Sequence, residues 1–169
     1  MAEVVWLPFE LHPEVPREGV ARSAYFPPGR LRRGAEVVRA MAAEVGLTMR
    51  ERERLVNSRL ALATAEFARE RDAFEPVHRE LFRVHWEGPG ELDDVEKLKR
   101  VAAGAGLDAD ELGAALADGR YEDVIDANRR DALAVGIDAV PAHVFGRRFL
   151  VLGAQPDELY DQVLRKLAE

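Results

Sequence analysis

The sequence predicts an α/β fold that is interrupted by an all-helical subdomain, and three observations predict it. β-Branched and aromatic residues dominate residues 4–11, which is typical of a strand. Residues 30–135 carry apolar side chains at helical spacing, with short connections and no internal repeat. From residue 136 onward the pattern of apolar and turn residues predicts two short strands followed by one last helix.

The N-terminal strand is expected to end at a sheet edge, because Pro8 cannot donate a backbone hydrogen bond. Prolines and glycines then recur over residues 12–29, which predicts a long irregular loop. Loops of this length are uncommon inside a compact domain and often lie near a functional site.

Six helices are predicted between residues 30 and 135, and start and stop signals place them. Gly46 ends the first helix, Asn57-Ser58 begins the second, and Pro76 fits the first turn of the third. Two acidic pairs spaced as in a capping box, Asp93 with Glu96 and Asp108 with Glu111, begin the next two. The sixth helix covers about 120–135 and ends at Gly136.

The C-terminal part predicts a hairpin with strands at 142–145 and 149–152 around Gly146-Arg147-Arg148. Pro156 then begins the final helix. We therefore assign residues 1–28 and 136–169 to the α/β part. We assign residues 29–135 to a helical insertion subdomain whose last helix packs back on the sheet.

Composition excludes several functions. None of the 169 residues is cysteine, so this chain cannot by itself perform thiol, disulfide or thiolate-metal chemistry. The net charge of −7 argues against nucleic-acid binding, which depends on neutralising phosphates. No apolar run is long enough to span a membrane, and the first residues carry no secretory signal, so we expect a cytoplasmic protein that does not bind membranes.

Three stretches together resemble the DsbA family of thioredoxin-fold proteins, specifically its FrnE-like branch. They are WLPFELHP at residues 6–13, AVGIDAVPAHVF at 134–145 and GAQP at 153–156. Their order and spacing, with a helical stretch between them, extend the resemblance over nearly the whole chain. The resemblance implies a thioredoxin-like (DsbA-type) fold with an all-helical insertion, and a family activity of thiol–disulfide oxidoreduction.

The chain also departs from the family pattern. The family begins with a strand and a Cys-x-x-Cys helix that have no counterpart here, so the first strand and active-site helix are missing. That strand is central in the family's sheet, and its loss leaves backbone groups of its two neighbours unpaired. Closure of the gap, a partner chain such as a second copy in a homodimer, or an upstream segment would each repair the sheet.

The resemblance implies substrate-binding residues but no catalytic residue in this chain. It implies a cis bond before Pro141, which turns the backbone of Val140 outward to pair with an extended peptide or with glutathione. Ala154 and Gln155 occupy the place where relatives such as 2-hydroxychromene-2-carboxylate isomerase and kappa-class glutathione transferases meet glutathione. Those relatives use a serine that has no counterpart here. No bound cofactor is expected, glutathione being the one candidate.

The histidines and aromatic residues are given structural roles. His78 and His85 share a helix with Glu75, but one Glu-x-x-His does not make a di-iron site, so no metal is expected. His143 is assigned to the core side of a strand. The aromatic residues taken as core are Trp6, Phe9, Trp86 and Phe149.

Three functions stay open from the sequence. The first is a thiol–disulfide oxidoreductase of which this chain lacks the catalytic unit. The second is a redox-inactive protein that binds peptides or protein partners. The third is a glutathione-dependent isomerase or transferase.

Overall fold

The structure is a computed structural model, and it describes residues 3–26, 28–88 and 92–169, with the side chains of 28–34 left out. Helices dominate this part of the chain, and the strands are short. In chain order the elements are β1 (Val20–Ala21), α1 (Arg22–Tyr25), α2 (Pro28–Glu44), β2 (Arg54–Leu55), α3 (Arg59–Arg69), α4 (Phe74–Trp86), α5 (Val95–Gly104), α6 (Ala109–Ala117), α7 (Glu122–Ala134), β3 (Ala142–Phe145), β4 (Phe149–Leu152) and α8 (Asp157–Ala168). None of the helices in the described ranges has the length and apolarity needed to cross a bilayer.

The hydrophobic core lies among α3, α4, α5, α6 and α7. Helix α3 is central to this block and packs against each of the other four. Its alanines, buried at positions 61, 63, 65 and 68, let the neighbouring helices approach closely. The large side chains that fill the block are fully buried, and they are Phe67, Leu98, Leu112 and Ile125.

The helix boundaries largely follow the start and stop signals. Asp108 caps α6 by accepting hydrogen bonds from the amides of Asp110 and Glu111, as its spacing predicts. The cap of α5 is Asp94, not Asp93, so this prediction was wrong by one residue. Asp93 instead pairs with Arg54 of β2. Adjacent aspartates offer the same capping group, and the path of the chain decides which one caps.

The strand predicted over residues 4–11 does not form. Residues 3–10 have no regular secondary structure, and Val4, Val5 and Leu7 are largely exposed. Arginine side chains donate hydrogen bonds to this backbone, in place of the amides that a neighbouring strand would supply. Arg69 donates to the carbonyl of Trp6 at 2.6 Å, and Arg129 donates to the carbonyl of Glu10 at 3.0 Å.

The predicted loop over residues 12–29 contains more structure than expected. β1 pairs antiparallel with β2, and α1 follows it directly before α2 begins at Pro28. Gly19 allows this turn because its φ is +70°, and an added Cβ would lie 2.7 Å from the carbonyl oxygen of Leu55.

The C-terminal hairpin forms at the predicted positions. β3 and β4 pair antiparallel from Ala142–Leu152 to Phe145–Phe149, and β3 also contacts α8. The hairpin turn packs tightly on the end of α8, since a Cβ at Gly146 would lie 2.5 Å from Leu167. Among the described residues β3 has one strand neighbour, β4.

Most of the aromatic residues assigned to the core are only partly buried. Phe9, Trp86 and Phe149 are half-buried. Trp6 is 53 % exposed, so its assignment to the core was wrong. Its ring packs on His78 of α4, with the centroids 4.7 Å apart, because the irregular N-terminal segment runs along the outside of the helical block.

Candidate functional site: the open end of the hairpin

The four residues assigned to substrate binding lie together at one end of the β3–β4 hairpin. The peptide bond between Val140 and Pro141 is cis, and the side chain of Val140 is half exposed. The amide of Gly153 donates to the carbonyl of Pro141 at 2.8 Å. This hydrogen bond holds the turn that carries Ala154 and Gln155 beside Pro141.

Ala154 and Gln155 differ in what they offer a ligand. Ala154 is exposed. The side-chain amide of Gln155 donates to the carbonyl of Leu152 at 2.9 Å, so this donor already closes the turn after β4. Gln155 therefore supports the site, and a ligand at this turn would meet Ala154.

The outer edge of β3 presents backbone groups to a binding partner. In an antiparallel pair, hydrogen-bonded residue pairs alternate with non-bonded pairs. Pro141 and Gly153 form a bonded pair, so Val144 and Leu150, three register steps further along the hairpin, form a non-bonded pair. The amide and carbonyl of Val144 therefore face away from β4. The sequence contains this signal, since the register follows from the predicted hairpin, but the candidate residues did not include Val144.

The side chains around this edge are apolar and exposed. Val144 is 55 % exposed, and Leu150 and Leu152 on β4 are about 40 % exposed. Apolar side chains beside unpaired backbone donors and acceptors favour pairing with another extended chain.

His143 lies within an aromatic cluster beneath the hairpin. Its ring is 5.1 Å from that of Tyr160 on α8 and 6.4 Å from that of Phe145. Its Nδ1 is buried without a hydrogen-bond partner in the described part of the chain. The ring packs β3 against α8 and so shapes the site from below.

The other histidines do not assemble a metal site within the described ranges, where no three histidine, aspartate or glutamate residues lie close enough to hold an ion. His78 packs between Phe74 and Phe82 of its own helix. Burial, and to a smaller extent Arg69, lowers the pKa of His78.

We expect the protein to lose stability between pH 6.5 and pH 4 because of His85. Burial, with the nearby Arg52 and Arg22, lowers the pKa of His85 to about 4. The unfolded chain thus takes up this proton first as the pH falls from about 6.5, which favours unfolding. The loss should reach roughly 2–3 kcal/mol after solvent screening.

Urea titrations at pH 7, 5.5 and 4 measure this loss, with His85→Gln as the comparison. The variant lacks the titrating group, so its stability should fall by less over the same range. Parallel pH profiles for the two proteins would contradict the assignment to His85.

Comparison with known proteins places this geometry in a family. The model of the DSBA-like thioredoxin domain matches residues 1–165. The chain belongs to the DSBA-like thioredoxin family. The protein is thus a DsbA-like protein, and the thioredoxin-like fold with its helical insertion is confirmed.

A solved structure similar to this DsbA-like chain is that of a probable DsbA oxidoreductase from Streptomyces coelicolor. The two share 30 % sequence identity and superpose with a TM-score of 0.87. The alignment covers 98 % of the DsbA-like chain and 75 % of the Streptomyces chain, so a quarter of the latter has no counterpart in these 169 residues. Comparison with curated proteins gives no match. Membership of the FrnE-like branch stays a prediction.

Proposed function

We propose that this chain is the peptide-binding part of a DsbA-type oxidoreductase. In this proposal it binds an extended peptide by strand addition along β3, beside Val140-Pro141, and performs no thiol exchange of its own. The observation that carries the proposal is the outward-facing backbone of Val144 on a strand edge with no second neighbour in the described ranges.

The lack of redox chemistry follows from composition. Thiol–disulfide exchange requires a thiolate that attacks a disulfide sulfur, and the chain contains no cysteine. The similar Streptomyces protein is described as a probable oxidoreductase. What this chain shares with such an enzyme is the fold, and the exposed edge beside Pro141 supports a role in holding the substrate.

Strand addition suits this edge for a physical reason. Main-chain hydrogen bonds supply affinity, and each is worth about 0.5–1.5 kcal/mol net. The exposed side chains of Val140 and Val144 add apolar contacts to a bound peptide. A peptide that alternates apolar and polar residues would place one face on these side chains and the other in solvent.

Glutathione and a second copy of the chain are further ligands for this site. Glutathione as a ligand is supported by the exposed turn at Ala154. The hydrogen bond from Gly153 to Pro141 holds this turn beside Val140-Pro141. A homodimer would use the same β3 edge. Action in the cytoplasm likewise stays a prediction.

Replacing Val144 with proline should weaken peptide binding at least about fivefold, because one lost hydrogen bond of about 1 kcal/mol corresponds to that factor. Proline removes the outward amide and leaves the β3–β4 hydrogen bonds in place. The probe is a labelled peptide of alternating valine and threonine with a lysine at each end. Fluorescence anisotropy measures its affinity.

Val144→Thr is the matched control, since threonine keeps both the amide and the branched side chain. It should bind the probe within about twofold of the unchanged protein, given that no hydrogen bond is lost. Equal binding by the proline variant would overturn the proposal. If glutathione displaces the probe, the proposal extends to that tripeptide as a ligand. Sedimentation of the unchanged protein shows whether it forms a dimer.

A further inference from the structure

A cavity of about 400 Å³ lies away from the hairpin, between the loop at residues 13–17 and helices α3, α6 and α7. Leu60, Leu116 and Ile125 give it an apolar wall. Pro13 and Arg17 are exposed residues of its lining, so it opens to solvent there. The lining is polar in part as well, and concave sites of this size that combine apolar walls with polar groups are typical of small-molecule sites.

One carboxylate in the cavity wall lacks a complete set of partners. Glu10 is 1 % exposed, and its Oε2 accepts a hydrogen bond from Arg59 at 2.6 Å. Its Oε1 is also buried and has no hydrogen-bond partner among the described residues. Buried charged oxygens are almost always satisfied, because removing such a group from water costs several kcal/mol if nothing replaces it.

Glu66 shows how this chain satisfies a comparable group. It is 8 % exposed, and both of its carboxylate oxygens accept hydrogen bonds from Arg69. Arg59, in contrast, divides its guanidinium between Glu10 and Asp126, which it reaches at 2.7 Å. The nearby Arg129 donates through Nε to the backbone carbonyl of Glu10. Oε1 of Glu10 is thus left for a donor from elsewhere.

We propose that this cavity binds a primary ammonium group on a short apolar body, with the ammonium donating to Oε1 of Glu10 and the alkyl chain against Leu60, Leu116 and Ile125. An ammonium fits because it adds the attraction of opposite charges to the hydrogen bond with the carboxylate, and this attraction is stronger away from bulk water. It is also a compact donor with three hydrogens, suited to a single buried oxygen.

The test uses the whole chain and n-pentylammonium chloride as the probe, with titration calorimetry as the measurement. We expect saturable binding with a dissociation constant of about 1 mM or less. Glu10→Gln keeps the shape of the side chain and removes its charge, and it should weaken binding at least tenfold. n-Pentanol, a neutral donor of similar shape, should also bind at least tenfold more weakly.

Glu66→Gln is the matched control, because it neutralises another buried glutamate that pairs with arginine outside the cavity. Its affinity for the probe should equal that of the unchanged protein. In the unchanged protein, NMR shifts on titration should centre on Asn57 and Ile125 of the cavity wall, which keeps the proposal testable if Glu10→Gln fails to fold. No binding at 20 mM (about twenty times the upper expected dissociation constant), equal binding of pentanol, or shifts confined to other residues would overturn it.

Discussion

Replacing Arg59 with methionine should lower the free energy of unfolding by about 3–5 kcal/mol. Methionine keeps most of the volume but leaves the carboxylate of Glu10, 1 % exposed, without a counter-ion. It also removes the partner of Asp126. Burial disfavours the charge on Arg59, yet the hydrogen bonds to Asp126 and Glu10 raise the pKa of its guanidinium overall. The charge is therefore held in place by its two partners.

Urea denaturation followed by circular dichroism measures this loss, and Arg83→Met is the control. Arg83 pairs with Glu80 on the surface of α4, where an ion pair is worth at most about 1 kcal/mol. The double variant Glu10→Leu with Arg59→Met should recover much of the stability, because the uncompensated charge is gone. Equal losses for the two single variants would contradict the importance of burial.

Replacing Phe67 with alanine should cost about 3–5 kcal/mol, the usual range for removing a buried phenylalanine. The side chain is fully buried on α3 at the centre of the helical block. Its ring packs edge-on against Tyr121, and the guanidinium of Arg71 lies over it at 3.7 Å from the ring centre. Alanine leaves a void that neighbouring helices can fill only by moving.

Phe82→Ala makes the matched comparison, because Phe82 lies on α4 and is 53 % exposed. Its loss should cost under about 1 kcal/mol, in line with surface substitutions that create no cavity. Denaturant midpoints with unchanged slopes give both values. A Phe82 variant as unstable as the Phe67 variant would mean that the core lies elsewhere.

The sequence predicts those parts of the fold that local signals determine. The hairpin strands at 142–145 and 149–152 and the cap at Asp108 appear where their patterns place them. Here the turn residues, the alternation of side chains and the capping geometry all lie within a few residues of each other. Local chemistry was enough for helices α2 to α8 and for the hairpin, but not for α1, which lies in the predicted loop.

The strand predicted over residues 4–11 failed because a strand requires a neighbour as well as β-forming residues. Pro8 weakens this segment as a strand, and the arginines that bind its backbone come from α3 and α7. The site at Glu10 could not be found for a related reason. Its partner Arg59 is 49 residues away, and burial of the pair depends on how the loop packs on the helices.

The placement of the core has a consequence for how this protein can change. The buried cluster extends from Ala61 to Ile125, whereas α8 has no buried residue and the hairpin buries Val151 alone among its described strand residues. Regions with few buried contacts open locally at a fraction of the global free energy. Residues of the hairpin and α8 are therefore open to substitution while the helical block keeps its stability. The peptide preference proposed for the hairpin and the thermal tolerance of the helical block can thus be altered separately.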